Sequence, residues 1–182
     1  MKFSITFAAS CMAVSTLLLS TMVVADTKAE IDVSVHETLR QFDALNRNNG
    51  QLLHSAAGVL TFPHVTKAGA GIGGEYGEGA LQIGGKIVGY YSVTSASIGL
   101  TFGAAKRSEV IVFTTQDALD KFTSSKGWSA TADAGVAVAS NGAAADYDSK
   151  TVNKPVIVFV FGEKGLIGDL SLAGSKIKRI EK

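Results

Sequence analysis

FPHVTKAGAGIGGEYGEGALQIGGKIVGYY, residues 62–91, decides how the rest of the chain is read. Nine of the chain's 20 glycines lie between Gly69 and Gly89, flanked by the β-branched and aromatic residues that strands favour. Fixing a glycine costs backbone entropy, so this density needs a reason: positive φ in turns, close approach of another backbone, or room for a ligand. All three describe a bent β-rich body better than a helical one. Gly69, Gly71 and Gly74 also spell G-x-G-x-x-G, but a dinucleotide site needs a helix opening at the third glycine and an acidic residue about twenty positions later. Gly77, Gly79, Gly84 and Gly85 would break that helix, and no Asp or Glu lies near Thr94. The stretch reads as a glycine-rich β corner.

The strands on either side follow from alternation and turn chemistry. Val59 to Val65 alternates, with Pro63 marking an edge or a bulge. Gly79 to Ile83 and Lys86 to Val93 flank Gly84-Gly85, a two-residue hairpin signal. Ser97 to Gly103 and Glu109 to Phe113 read as two more strands, Ala134–Ala139 as a weak one and Val156 to Phe161 as a central one, and Leu166–Leu172 and Ser175–Ile180 close the chain. Residues 140–154 read as a polar loop. Upstream, Ile31, Val35, Leu39, Phe42 and Leu45 recur at helical spacing from Thr27 to Leu45. Asn46 to Gly50 reads as a turn, followed by a short helix over Gln51–Ala57. Thr114 and Asp117 mark the start of a third helix through Phe122. The expected fold is α+β: a curved, mostly antiparallel β-sheet or flattened barrel, with an N-terminal amphipathic helix and short helices packed on it.

Residues 1–25 read differently. Lys2 precedes an apolar run from Ile5 to Val24, and Val23-Val24-Ala25 suits a signal-peptidase cut before Asp26. Ser10, Ser15, Thr16, Ser20 and Thr21 interrupt the run, which favours cleavage over a retained membrane anchor. The expected organisation is a signal peptide, 1–25, and one domain, 26–182, exported to the periplasm or cell envelope. The single cysteine, Cys11, lies in the signal segment, so the mature domain has neither disulfide nor thiol chemistry. Setting Lys2 aside from the 17 basic residues leaves them equal to the 16 acidic ones. Global neutrality gives no sign of a nucleic-acid partner.

The run VLTFPHVTKAGAGIGGEYGEGALQIGGKIVGYYSVTSASIGL, with Gly127-Trp128 and FVFGEKGLIGDLSLAGSKIKRI, resembles the SYLF-domain family of lipid-binding domains. That family has secreted bacterial members, and eukaryotic members working at membranes and actin patches. The resemblance implies a non-enzymatic domain that recognises anionic phospholipid at a membrane surface. The alternative is an envelope scaffold or adaptor for a protein partner. For the lipid reading, the attraction is expected from Lys67, Lys106, Arg107, Lys176, Lys178 and Arg179, provided that they share a face. Tyr76, Tyr90, Tyr91 and Trp128 form a candidate interfacial aromatic set, against a core role for one of Tyr90 and Tyr91 and for Trp128.

Catalysis has less support. His36, His54 and His64 sit in no nucleophile or metal motif, and no cofactor or metal is called for. Glu75 and Glu78 are close enough to pair their carboxylates, the arrangement a hydrolase would use. The more ordinary role is a structural carboxylate in a glycine-rich turn.

Overall fold

The computed structural model describes residues 26–129, 136–140, 154–165 and 175–182, with the backbone alone at 70–72, 97–102, 139–140 and 165. Helices α1 (Lys28–Leu45) and α2 (Arg47–Ser55) precede two very long strands, β1 (Gly58–Ile83) and β2 (Lys86–Phe113). Helix α3 (Gln116–Ser124) follows, then β3 (Val136–Ser140), β4 (Val156–Gly165) and β5 (Lys176–Ile180). The expected signal segment, the loop 140–154 beyond Ser140 and up to 153, and the expected strand at 166–172 lie outside the described residues.

β1 and β2 form one hairpin, joined at Gly84 and Gly85 with φ of 57° and 75°. Two consecutive positive φ values are what a type I′ turn requires, and glycine adopts them without strain. The glycine-rich corner and the five separate strands expected between Val59 and Phe113 are therefore two continuous strands. Register shifts let them bend instead of ending. One lies between Phe62 and Val65, at Pro63, whose carbonyl accepts the Ser108 hydroxyl at 2.8 Å. Another lies where Ala70 pairs Phe102 but Ile72 pairs Ile98, so that β2 carries two extra residues. Extra residues bend and twist a strand locally, and here the whole hairpin turns over on itself.

The turnover brings the two halves of β1 face to face. A Cβ at Gly58 would lie 3.5 Å from the Gln82 carbonyl, and one at Gly77 would lie 2.9 Å from that of His64. At Gly79 it would overlap the Thr61 carbonyl, far inside the 3.0 Å that real Cβ atoms respect. Close backbone approach requires Gly77 and Gly79, whereas at Gly58 the backbone contact is ordinary.

Inside the fold lies the main core: Leu60, Phe62 and Val65 from the first half of β1, Leu81 from the second, and Tyr91, Val93, Ile111 and Phe113 from β2. α3 closes one end with Leu119 and Phe122, and Trp128 packs edge-on against Phe122 with ring centroids 5.7 Å apart. Each such side chain, fully buried, contributes about 1.5–3 kcal/mol. The outer face of the hairpin is covered by α1 and α2. Ile31 and Val35 meet Ala80 and Tyr90, while Phe42 meets Val110, Val112, Ile157 and Phe159. The Tyr90 hydroxyl donates to Asp32 at 2.7 Å, and burial first, then Asp32, pushes the phenol up to about 12. Both adjacent tyrosines are thus buried, on opposite faces of β2, and Trp128 is a core plug.

β4 pairs antiparallel with β2 over Ala105–Phe113 and parallel with β3, so it is central as expected. β5 pairs with the same edge of β2 farther along, over Tyr90–Thr94. The result is the expected α+β fold with a curled sheet, in which β3 supplies the parallel pairing among the described strands. Two helix boundaries differ from expectation. Asn46 caps α2 by accepting from the Asn48 N–H at 2.9 Å, so the supposed turn is the first part of that helix. Thr115, not Thr114, caps α3. α1 begins with a full capping box between Thr27 and Glu30. Thr27→Ala is expected to cost about 1 kcal/mol in urea denaturation, since it orphans a first-turn N–H.

Candidate functional site

Parity along the strands places charge inside the bend. Arg107 and Glu109 follow the same inward alternation as Ile111 and Phe113, and Lys67 follows that of Val65. Glu75 lies directly opposite Ser95 in the register. The four charged side chains meet: Arg107 Nη1 lies 3.1 Å and Lys67 Nζ 3.6 Å from Glu75 Oε1, and Arg107 Nε donates to Glu109 Oε1 at 2.8 Å. Arg107 Nη2 and the Ser95 hydroxyl both donate to Glu75 Oε2, at 3.2 and 3.0 Å. Two cations and two carboxylates balance, which burial demands because an unpaired charge there is costly. Burial pushes the Glu109 carboxyl above the ordinary carboxylate value, against the pull of Arg107. Burial lowers Arg107 in turn, but Glu109 and Glu75 outweigh it and hold the guanidinium firmly charged.

The far side of this cluster is an open groove of about 520 Å³, lined among others by Asp26, His64, Tyr76, Glu78 and Lys106. Glu78 accepts from Lys182 Nζ at 2.7 Å, from the Asp26 N–H at 3.2 Å and from the Tyr76 hydroxyl. Burial works against its charge, yet Lys182, Tyr76 and Asp26 together hold its carboxyl below the ordinary value. Burial first, then Glu78, pushes the Tyr76 phenol up to about 12. Glu75 and Glu78 are therefore each committed to donors of their own. Among the described residues no group of three or more His, Cys, Asp or Glu could hold a metal ion.

The six cations expected to share a face are distributed over the fold. Lys67 and Arg107 are turned inward, at 5% exposure each. Lys176 and Lys178 are exposed and project from the same face of β5, beside Gly127, where a Cβ would lie 2.8 Å from Lys176 Cε and 3.9 Å from Lys178 Cγ. Arg179 is exposed on the opposite face, near Gly89. Lys106 is exposed on the other half of β2, directly across from Lys164, which is also exposed. Sequence reasoning missed Lys164 and Lys126, the exposed residue before Gly127. Their signal is positional: a lysine opposite a lysine, and a lysine next to the turn that meets β5. Of the aromatic set, Tyr76 alone keeps substantial exposure, at 36%. Among the described residues no helix is long and apolar enough to cross a membrane.

Residues 94–181, from the middle of β2 through β5, match the family model Ysc84, described as Las17-binding protein actin regulator. This is the SYLF family that the sequence resembles. No curated protein matches the chain.

Proposed function

Because residues 94–181 belong to the Ysc84 (SYLF) family, we propose that the chain is an exported, non-enzymatic domain that docks on anionic phospholipid at a membrane surface. The observation that carries this reading is the lysine pairing. Lys106 stands opposite Lys164, and Lys176 stands beside Lys178, all exposed and without a carboxylate partner among the described residues. Like charges placed as neighbours destabilise a sheet, and an anionic surface relieves that repulsion. Each lysine near such a surface contributes about 1 kcal/mol, screened by salt.

The test is co-sedimentation of the purified protein with vesicles of phosphatidylglycerol and phosphatidylcholine, against phosphatidylcholine alone. Binding is expected to the anionic vesicles only and to fade with added salt. Replacing Lys176 and Lys178 together with alanine removes about 2 kcal/mol, or about thirtyfold in affinity. Equal sedimentation with both vesicle types, or none at low salt, refutes the lipid reading.

A protein partner is the second reading. The matched family is described by its binding to Las17, and β3 offers a short strand with Val138 at 51% exposure. Crosslinking in the native envelope separates the two, because a protein adduct survives lipid extraction.

A further inference from the structure

The contact that neither reading uses is the one between Asp26 and Glu78, 52 positions apart in the chain. We propose that the groove at Glu78 is the seat of the processed N-terminus, which completes the ion-pair cluster there once residues 1–25 have been removed. This rests on the export reading, and specifically on a cut between Ala25 and Asp26. Hydrolysis of that peptide bond gives the hydroxyl of water to the Ala25 carbonyl and its hydrogen to the Asp26 nitrogen. Protonation from solvent then makes the nitrogen an α-ammonium.

Position comes first. The Asp26 nitrogen already lies 3.2 Å from Glu78 Oε2, on a carboxylate whose side chain is 5% exposed. Lys182 Nζ clamps the same residue from the other side, donating at 2.7 Å to the Asp26 carbonyl and at 2.7 Å to Glu78. Thr27 caps α1 immediately afterwards, so the chain enters a fixed helix two residues past the cut. An N-terminus held on both sides in this way is not a fraying tail.

Charge comes second. Before cleavage the charged groups around this nitrogen are the carboxylates of Asp26 and Glu78 and the ammonium of Lys182, which sum to minus one. A new ammonium brings the sum to zero. The other groups facing the site are Tyr76, neutral because its phenol is pushed up to about 12, and His64 and Lys106 along the exposed groove wall. Behind the wall Glu75 is already matched by Arg107 and Lys67. From α1, Glu30 takes the Thr27 N–H and hydroxyl, both at 2.7 Å. An ammonium ahead of a helix start opposes the helix dipole. Glu78 at the Asp26 N–H and Glu30 at the Thr27 N–H offset that repulsion.

The experiment uses full-length chain expressed in a bacterial host with working Sec export. Intact mass and N-terminal sequencing of the isolated protein locate the cut. Acetylation of the α-amine across pH 6 to 9 then reports its ionisation, in wild type and in Glu78→Gln. A free α-amine titrates at about 7.7–8.0. Opposite charge at this distance raises that by about one unit or more. Wild-type α-amine is therefore expected to react about tenfold more slowly at pH 7 than that of Glu78→Gln. Should Glu78→Gln not fold, Lys182→Met serves instead, since it removes the cation that competes with the ammonium for Glu78 and slows acetylation further. A start at Asp26 with ordinary, variant-independent reactivity overturns the seat while leaving export intact. A start elsewhere, or no cut, overturns the premise itself. Neither result bears on vesicle binding, which is measured separately.

Discussion

A Gly79→Val chain is expected to lose more than about 4 kcal/mol of stability, and so to yield little or no folded protein. Gly79 has no unusual φ, so the effect comes from what faces it. A Cβ there would overlap the carbonyl oxygen of Thr61 and press within 2.8 Å of the Phe62 ring. Side chains can rotate aside, but Thr61 is backbone inside the same bent strand, bonded into the β1–β2 ladder opposite Val110. Relief requires the two halves of β1 to part, and parting them opens the core between Leu60, Phe62 and Leu81. Gly74 is the control. Its Cβ would meet only the Ser95 carbonyl, at an ordinary 3.6 Å. Gly74→Ala is expected to be neutral, or to gain up to about 1 kcal/mol from the stiffened unfolded chain. Urea denaturation of both variants distinguishes glycines needed for contact from those that are not. Similar losses at the two positions would refute the face-to-face account of β1.

What could be read from residues alone follows the range of the interaction involved. α1 was legible because its stripe of Ile31, Val35, Leu39 and Phe42 is a local period, and Thr27 and Glu30 cap it within one turn. The hairpin at Gly84-Gly85 was legible for the same reason. The continuity of β1 and β2 was not, because glycine punctuates local structure by propensity, whereas here it permits a packing contact between residues 61 and 79. The extra residues between Ile98 and Phe102 appear only once a register exists. Charge shows the same division. Alternation carried back from Phe113 and Ile111 places Glu109 and Arg107 inside, and that signal was available in the sequence. That Glu75 and Lys67 meet them depends on the bend, which no local pattern encodes. Charge alone therefore puts Lys67 and Arg107 with the surface cations, while strand alternation separates Lys176 and Lys178 on one face of β5 from Arg179 on the other.

The second large effect is expected from Arg107. Arg107→Met should cost about 3–5 kcal/mol near neutral pH, the usual result of removing one partner from a buried ion pair. Glu75 would keep Lys67 and Ser95, but Glu109 would lose the donor to Oε1 that favours its charged form. The pH dependence identifies which carboxylate is responsible. Glu109 already has its folded-state value raised by burial, in spite of Arg107. In the variant it rises further. With a raised folded value the native state holds a proton that the unfolded chain has released. Its stabilising effect is therefore fully present below the ordinary carboxylate range and is lost as pH rises through the raised value. The deficit of Arg107→Met relative to wild type should thus shrink as pH falls toward the ordinary carboxylate range, where the fold takes up the Glu109 proton, and grow as pH rises through the raised value. Adding Glu109→Leu should recover much of the loss at neutral pH, since Lys67 and Glu75 remain as a balanced pair. A deficit that is flat with pH, or unrelieved by the second substitution, would mean that Arg107 acts through packing of its stem and not through its charge. Position explains the size of the expected effect. The four charges lie inside the bend between the apolar core and the groove, so an unpaired Glu109 weakens the segment that turns β1 and β2 back on themselves. The fold holds its curvature there with two cations matched to two carboxylates.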